Sequence, residues 1–227
     1  MEKAKTPIQE NASELDLFRS DSRRNLFRSI AIFCRQNGPL DGYYMEFGCH
    51  KGRTMRLAWD VCHHEHNWTY VAFDSFEGLP EIQEIDRMPV WQKGSCTTSE
   101  EEFLQTALQH GIPRERLITV KGFYEHSLTA QLRDRLLPKK AAVAYIDCDL
   151  YASTVPVLNF IKDFLQRGTI IVFDDWFCFF GDPERGERRA FREFCHRNPQ
   201  LIFEDFAQTS EIKSFIYLGA AGNGSQL

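Results

Sequence analysis

The chain of 227 residues carries 43% hydrophobic and 26% charged side chains, the balance of one compact domain large enough to bury a core. A net charge of −5 supplies no basic field for a phosphate backbone, which excludes sequence-independent nucleic-acid binding and leaves a small molecule as the expected partner. No stretch approaches the roughly 20 apolar residues of a bilayer span, the start has no apolar signal-type stretch, and the seven cysteines form no Cys-x-x-Cys pair; a cytoplasmic protein with reduced thiols and no membrane contact is expected.

Residues 1–38 read as a helical preface, because Leu15, Leu17, Phe18, Leu26, Ile30, Ile32 and Phe33 recur near helical spacing with acids early and arginines later. From Tyr43 onward, short apolar runs alternate with longer amphipathic stretches, the rhythm of a parallel sheet covered by helices on both faces. Strands are expected at 43–47, 69–74, 117–122, 141–147 and 169–175, and helices at 53–65, 99–110, 127–136, 153–167 and 185–197. "LIFEDFA" and "IKSFIYLG" then follow with a link too short for a crossover helix, so they pair antiparallel or separate. The expected fold is α/β: a Rossmann-like, doubly wound sheet of seven strands with an antiparallel strand in a C-terminal hairpin. It spans residues 39–220, ahead of a flexible tail at 221–227.

In open sheets of this kind ligands bind outside the carboxyl ends of the strands. That rim receives Glu46, Asp74, Asp147, Asp174 and Asp175, although each acid alone reads equally well as the cap of the next helix. "AAVAYI" and "TIIVF" are strands of the doubly buried type, and an ionised carboxylate at their ends is costly without a positive partner. In "MEFGCHKGRT", Gly48 and Gly52 bracket a tight strand-to-helix turn whose amides favour an anionic group; alone, this reads as an ordinary turn. Asp74 in "FDSFEGLP" follows that loop at the distance where doubly wound folds place an acid for both hydroxyls of a ribose.

Taken together, "EFGCHKGRT", "FDSFEGLP", "IDCDLYAST" and "IVFDDW" resemble, in order and approximate spacing, the S-adenosylmethionine-dependent class I methyltransferases. Within these, residues 43–199 are similar to the macrocin O-methyltransferase family of antibiotic-sugar enzymes. The resemblance implies the class I methyltransferase fold and a cofactor site. In that site Glu46, Gly48 and Gly52 form the methionine-side pocket, Thr54 also binds the cofactor, Asp74 takes the ribose, Ser75 and Phe76 border the adenosine, and Gly122 and Phe123 form a further wall.

It also implies a divalent cation at Asp147, Asp174 and Asp175, an all-oxygen set for which Mg²⁺ is the first expectation. A cation chelated by two neighbouring substrate oxygens would fix the angle of attack and acidify the nucleophile, so the expected acceptor is a small-molecule hydroxyl with a vicinal partner, as in sugars or catechols. Asp147 or Asp149 is the expected proton acceptor, with release to water as the alternative. Alanine at Asp174 or Asp175 is expected to spare folding and abolish turnover. A homodimer is expected. The alternative function is a catalytically silent S-adenosylmethionine-binding module of the same fold.

Three further features have bland readings beside functional ones. "CHHEHNW" gathers His63, His64 and His66 at a helix end, where dipole contacts compete with zinc binding. "DDWFCFFGDP" reads as an aromatic lid or as core, and Arg185, Arg188 and Arg189 read as an anion site or as a solvated helix face.

Overall fold

The computed structural model describes residues 13–38 and 40–221; the expectations for 1–12, 39 and the tail at 222–227 lie outside them. The Ser13 hydroxyl caps helix α1 (Glu14–Gln36) by accepting from the Asp16 amide at 3.1 Å. The buried stripe of α1 runs Arg23, Leu26, Phe27, Ile30 and Cys34, at helical i, i+3, i+4, i+7 spacing. Phe27 lies over the sheet, with ring centroids 5.7 Å from Tyr145 and 6.0 Å from Tyr44, so the predicted preface forms part of the core.

The elements then follow as β1 (Tyr43–Phe47), α2 (Arg53–Cys62), β2 (Thr69–Asp74), α3 (Glu100–Gln109), β3 (Leu117–Lys121), α4 (Tyr124–Ser127) and α5 (Ala130–Leu136). After these come β4 (Ala141–Ile146), α6 (Tyr151–Ile161), β5 (Ile170–Phe173), α7 (Gly186–Arg197), β6 (Leu201–Gln208) and β7 (Lys213–Ala220). The helix expected at 127–136 starts later, as α5 at Ala130, because the Thr129 hydroxyl accepts from the Leu132 amide at 3.1 Å and caps it there; the single turn α4 precedes it.

The seven strands form one sheet in the order β3-β2-β1-β4-β5-β7-β6, with β7 antiparallel to both of its neighbours. β1, β4 and β5 are buried at every residue, which explains why β4 and β5 are continuous apolar runs rather than alternating ones and why β1 departs from apolar only at Glu46. Helices α1 to α3 cover one face and α5 to α7 the other, each over its own apolar core. Strand order reverses between β1 and β4, where Phe47 pairs with Ile146, and a crevice opens at their carboxyl ends. Among the described residues no helix is long and apolar enough to cross a membrane, and all seven cysteines are free thiols.

The connection between β2 and α3, residues 75–99, lies across the mouth of this crevice and is fastened by Asp86. Its fully buried carboxylate accepts from the Tyr151 amide at 2.7 Å and the Ala152 amide at 3.0 Å, satisfying donors that the first turn of α6 otherwise leaves open. Asp86→Ala is expected to lower the unfolding free energy by about 1–2 kcal/mol in urea denaturation. An unchanged midpoint and slope would show that the connection is held by other contacts.

Candidate functional site

A cavity of about 480 Å³ occupies the crevice, inside the range of roughly 300–1,000 Å³ usual for small-molecule sites. Gly48, Thr54, Asp74, Ser75, Gly122 and Phe123 line one end, and Asp147, Asp149, Asp174 and Asp175 line the other. Three residues of the expected cofactor set stand behind this lining. Glu46 is fully buried in β1, Gly52 faces the Phe103 ring, and Phe76 packs on the same ring with centroids 5.6 Å apart.

The two ends meet at Gly48. Its φ of +89° is left-handed, and a Cβ there would collide with the Asp147 carbonyl, so the loops after β1 and β4 touch only because this residue has no side chain. Asp74 fastens the first loop from the opposite side. One of its oxygens accepts from the Cys49 amide at 2.7 Å and the His50 amide at 3.0 Å, and the other from the Phe76 amide at 2.7 Å. Three of about four lone-pair sites are thus engaged, leaving one on Oδ1 beside a long 3.5 Å contact with Ser75 Oγ. Asp74 therefore offers a ligand one acceptor position, where the sequence suggested one for each ribose hydroxyl.

At the other end Asp174, only 3% exposed, is gripped by Arg23 of α1. The guanidinium Nε donates to Oδ1 at 3.0 Å and Nη2 to Oδ2, while the Tyr145 hydroxyl also donates to Oδ1. Burial alone would lower the Arg23 pKa; the Asp174 charge beside it raises it above the usual arginine value instead. Burial, compounded by repulsion from neighbouring aspartates, pushes Asp147 and Asp175 well above the usual carboxylate range. Burial raises Asp149 to about 6 against the hydrogen bond from Trp91, whose Nε1 donates at 3.0 Å. Asp149 also holds a left-handed φ of 60°, at a cost of about 1–2 kcal/mol for a residue with a side chain.

Asp147, Asp174 and Asp175 each present a carboxylate oxygen within 4.8 Å of the others, and Asp175 Oδ2 is buried without any hydrogen-bond partner. An all-oxygen trio with an orphaned anionic atom fits a hard divalent cation. One expectation changes, however. Asp174 is committed to the buried Arg23 guanidinium, so alanine there disturbs that ion pair as well as cation binding. Asp175 has no such partner and is the cleaner probe.

Residues 45–176 match the profile of a family described as "Methyltransferase domain". The chain belongs to this methyltransferase family. Its fold is similar to that of the O-methyltransferase NovP, with 19% identity and a TM-score of 0.67 over 92% of this chain and 83% of that one. It is similar also to CalS11, a calicheamicin methyltransferase, with 18% identity and a TM-score of 0.67 over 98% and 100% of the two chains. A methyltransferase of Podospora anserina, PaMTH1, solved with S-adenosylhomocysteine bound, shares 13% identity at a TM-score of 0.52 over 96% and 99%. At such identities the likeness is one of fold. No curated protein matches the chain significantly.

Several residues that shape this cavity escape sequence reasoning. Arg23 and Glu187 are the most consequential: Glu187, fully buried in α7, accepts from the Asp175 amide at 3.0 Å and the Cys148 amide at 3.4 Å and so braces both aspartate-bearing loops. Both carry a readable signal, a charge inside an apolar stripe. Arg23 precedes Leu26, Phe27 and Ile30, and Glu187 precedes Ala190, Phe191 and Phe194, at i+3, i+4 and i+7. Tyr145 and Trp91 give no comparable signal.

The features with two readings resolve toward structure. His63 stacks on Trp59 and His66 on Trp68, each with centroids 4.6 Å apart, and among the described residues the three aspartates are the one group arranged for a metal. Arg188 donates to the Gly181 carbonyl at 2.7 Å, Arg189 pairs with Glu193 at 2.7 Å, and Arg185 donates to the Arg87 carbonyl at 3.0 Å. Phe179 is buried against Trp91 at 4.8 Å between ring centroids, whereas Phe180 is fully exposed.

Glu46 yields a pH test. Burial raises its pKa to about 8 from an ordinary 4.5, opposed by the Tyr44 hydroxyl that donates to Oε2 at 2.5 Å, and Oε1 has no partner. Between these values the folded state holds a proton that the unfolded chain releases, so this group's stabilisation is complete below 4.5 and is lost as pH rises towards 8. Glu46→Gln cannot ionise, and its stability in urea should fall less across that window than that of the wild type. Parallel pH profiles would show Glu46 to be ionised in the fold.

Proposed function

We propose that the chain is an S-adenosylmethionine-dependent O-methyltransferase acting on a small molecule with vicinal hydroxyls, and that a hard divalent cation, Mg²⁺ foremost, is held by Asp147, Asp174 and Asp175. The observation that carries the reading is the union, in one cavity, of a glycine loop fastened by Asp74 with a carboxylate trio that has an unpartnered buried oxygen. Family membership supports methyl transfer. CalS11 is described as a TDP-rhamnose 3′-O-methyltransferase, which favours a sugar hydroxyl among the vicinal diols.

Gly48 lets the loop backbone reach the cofactor, Thr54 and Ser75 offer hydroxyls, and Asp74 presents its single free acceptor, with Gly122 and Phe123 as the opposing wall. S-adenosylmethionine bound there supplies an electrophilic methyl group on its sulfonium. The cation, when present, supplies polarisation of a hydroxyl and a fixed direction of approach. Asp149 lines the cavity outside the ligand trio and is oriented by Trp91, so it is the better placed acceptor for the departing proton, whereas Asp147 must stay anionic as a ligand. The Trp91–Phe179 contact beside it backs the acceptor side with aromatic surface and helps exclude water.

The test is calorimetry with S-adenosylhomocysteine and with Mg²⁺ on the wild type and Asp175→Asn, followed by transfer of labelled methyl to a panel of diols. S-adenosylhomocysteine should bind both proteins, the Mg²⁺ heat should vanish in the variant, and transfer should fall roughly 100-fold or more in the variant or in EDTA. Full transfer in EDTA would remove the cation from the reaction, and absence of S-adenosylhomocysteine binding would remove the methyltransferase reading itself.

A further inference from the structure

We infer that Arg23 competes with the divalent cation for Asp174 and has a second station at Glu211, so that this arginine sets the cation affinity of the site. The inference rests on the cation reading above and adds a residue from outside the carboxylate trio.

The three aspartates are not equivalent. Both lone-pair directions of Asp174 Oδ1 are engaged, by Arg23 Nε and the Tyr145 hydroxyl, and Oδ2 accepts from Arg23 Nη2. One site of about four remains, so Asp174 cannot chelate a cation through both oxygens while Arg23 holds it. By contrast, Asp175 Oδ1 takes only a 3.2 Å contact from the Cys178 thiol, and Oδ2 takes nothing. A guanidinium and a divalent ion on one carboxylate also repel each other at close range in a poorly screened cavity.

Arg23 has somewhere to go. Its Nη2 already lies 3.7 Å from Glu211 Oε2, in the link between β6 and β7, and Glu211 is half-buried and bound at 2.8 Å by Arg19. Arg23 and Arg19 both line the cavity beside Asp174, and Glu211 lies within reach of both arginines. Arg23 therefore has a carboxylate at each end of a short swing, and the pair at Asp174 keeps its buried charge neutralised until a cation takes its place.

Mn²⁺ titration calorimetry on the full chain tests this, with S-adenosylhomocysteine affinity and far-ultraviolet circular dichroism recorded for each protein. Arg23→Gln should bind Mn²⁺ about tenfold or more tightly than the wild type, Arg23→Lys should stay within about threefold of it, and Glu211→Gln should bind about threefold or more weakly. Equal or weaker binding in Arg23→Gln overturns the competition, and unchanged or tighter binding in Glu211→Gln overturns the second station. Glu211 is half-buried, so Glu211→Gln carries the test if Arg23→Gln folds poorly. Should no protein bind Mn²⁺ while all bind S-adenosylhomocysteine, the cation reading falls and this inference with it; Mn²⁺ bound equally by all removes this inference alone.

Discussion

Mutual repulsion among carboxylates at the carboxyl edge of the sheet is the constraint around which the molecule is arranged. Asp147, Asp149, Asp174, Asp175 and Glu187 crowd the ends of β4 and β5, and among the described residues Arg23 is the one buried lysine or arginine. Charges so placed are tolerable only if each is paired, hydrogen-bonded or protonated. The chain uses all three means. Arg23 and Tyr145 hold Asp174, two backbone amides hold Glu187, Trp91 donates to Asp149, and burial lifts the pKa values of Asp147, Asp149 and Asp175. Even so, the buried Oδ2 of Asp175 is left without a hydrogen-bond donor.

The same constraint explains why α1 belongs to the domain. Its apolar stripe buries Leu26, Phe27 and Ile30 on the sheet, and its one buried charge closes the ion pair with Asp174 from 151 residues away. Arg53, at the start of α2, returns to α1 through the Asp16 carbonyl at 3.0 Å and the Ser20 hydroxyl. The helix is thereby joined to the loops after both β1 and β5. The loop after β1 meets the loop after β4 through Gly48 against the Asp147 carbonyl, so the glycine-loop end and the acidic end of the cavity are fixed relative to one another.

Much of this was legible in the sequence because strand ends are set by local pattern. Continuous apolar runs mark β4 and β5, and acids near the ends of the parallel strands fall at the rim, which placed Glu46, Asp74, Asp147, Asp174 and Asp175 at the carboxyl edge. Rim position does not decide which way a side chain faces. Glu46 is turned into the core and Asp74 is consumed by its own loop, distinctions that depend on backbone amides closing after the fold forms. Arg23 and Glu187 were hidden for another reason: each sits in a helix rich in other charges, and only the apolar stripe around it separates it from arginines such as Arg189 that merely pair on the surface. Trp91 and Asp86 lie in the connection 75–99, whose path no periodicity encodes.

The most direct test of the account is the anomalous diffraction of crystals grown with S-adenosylhomocysteine and Mn²⁺. The account predicts cofactor density along the Gly48 loop with its ribose beside Asp74, and a single manganese peak about 2.0–2.6 Å from carboxylate oxygens of Asp147, Asp174 and Asp175. Cofactor bound away from that loop, or manganese anywhere other than among these aspartates, would contradict it.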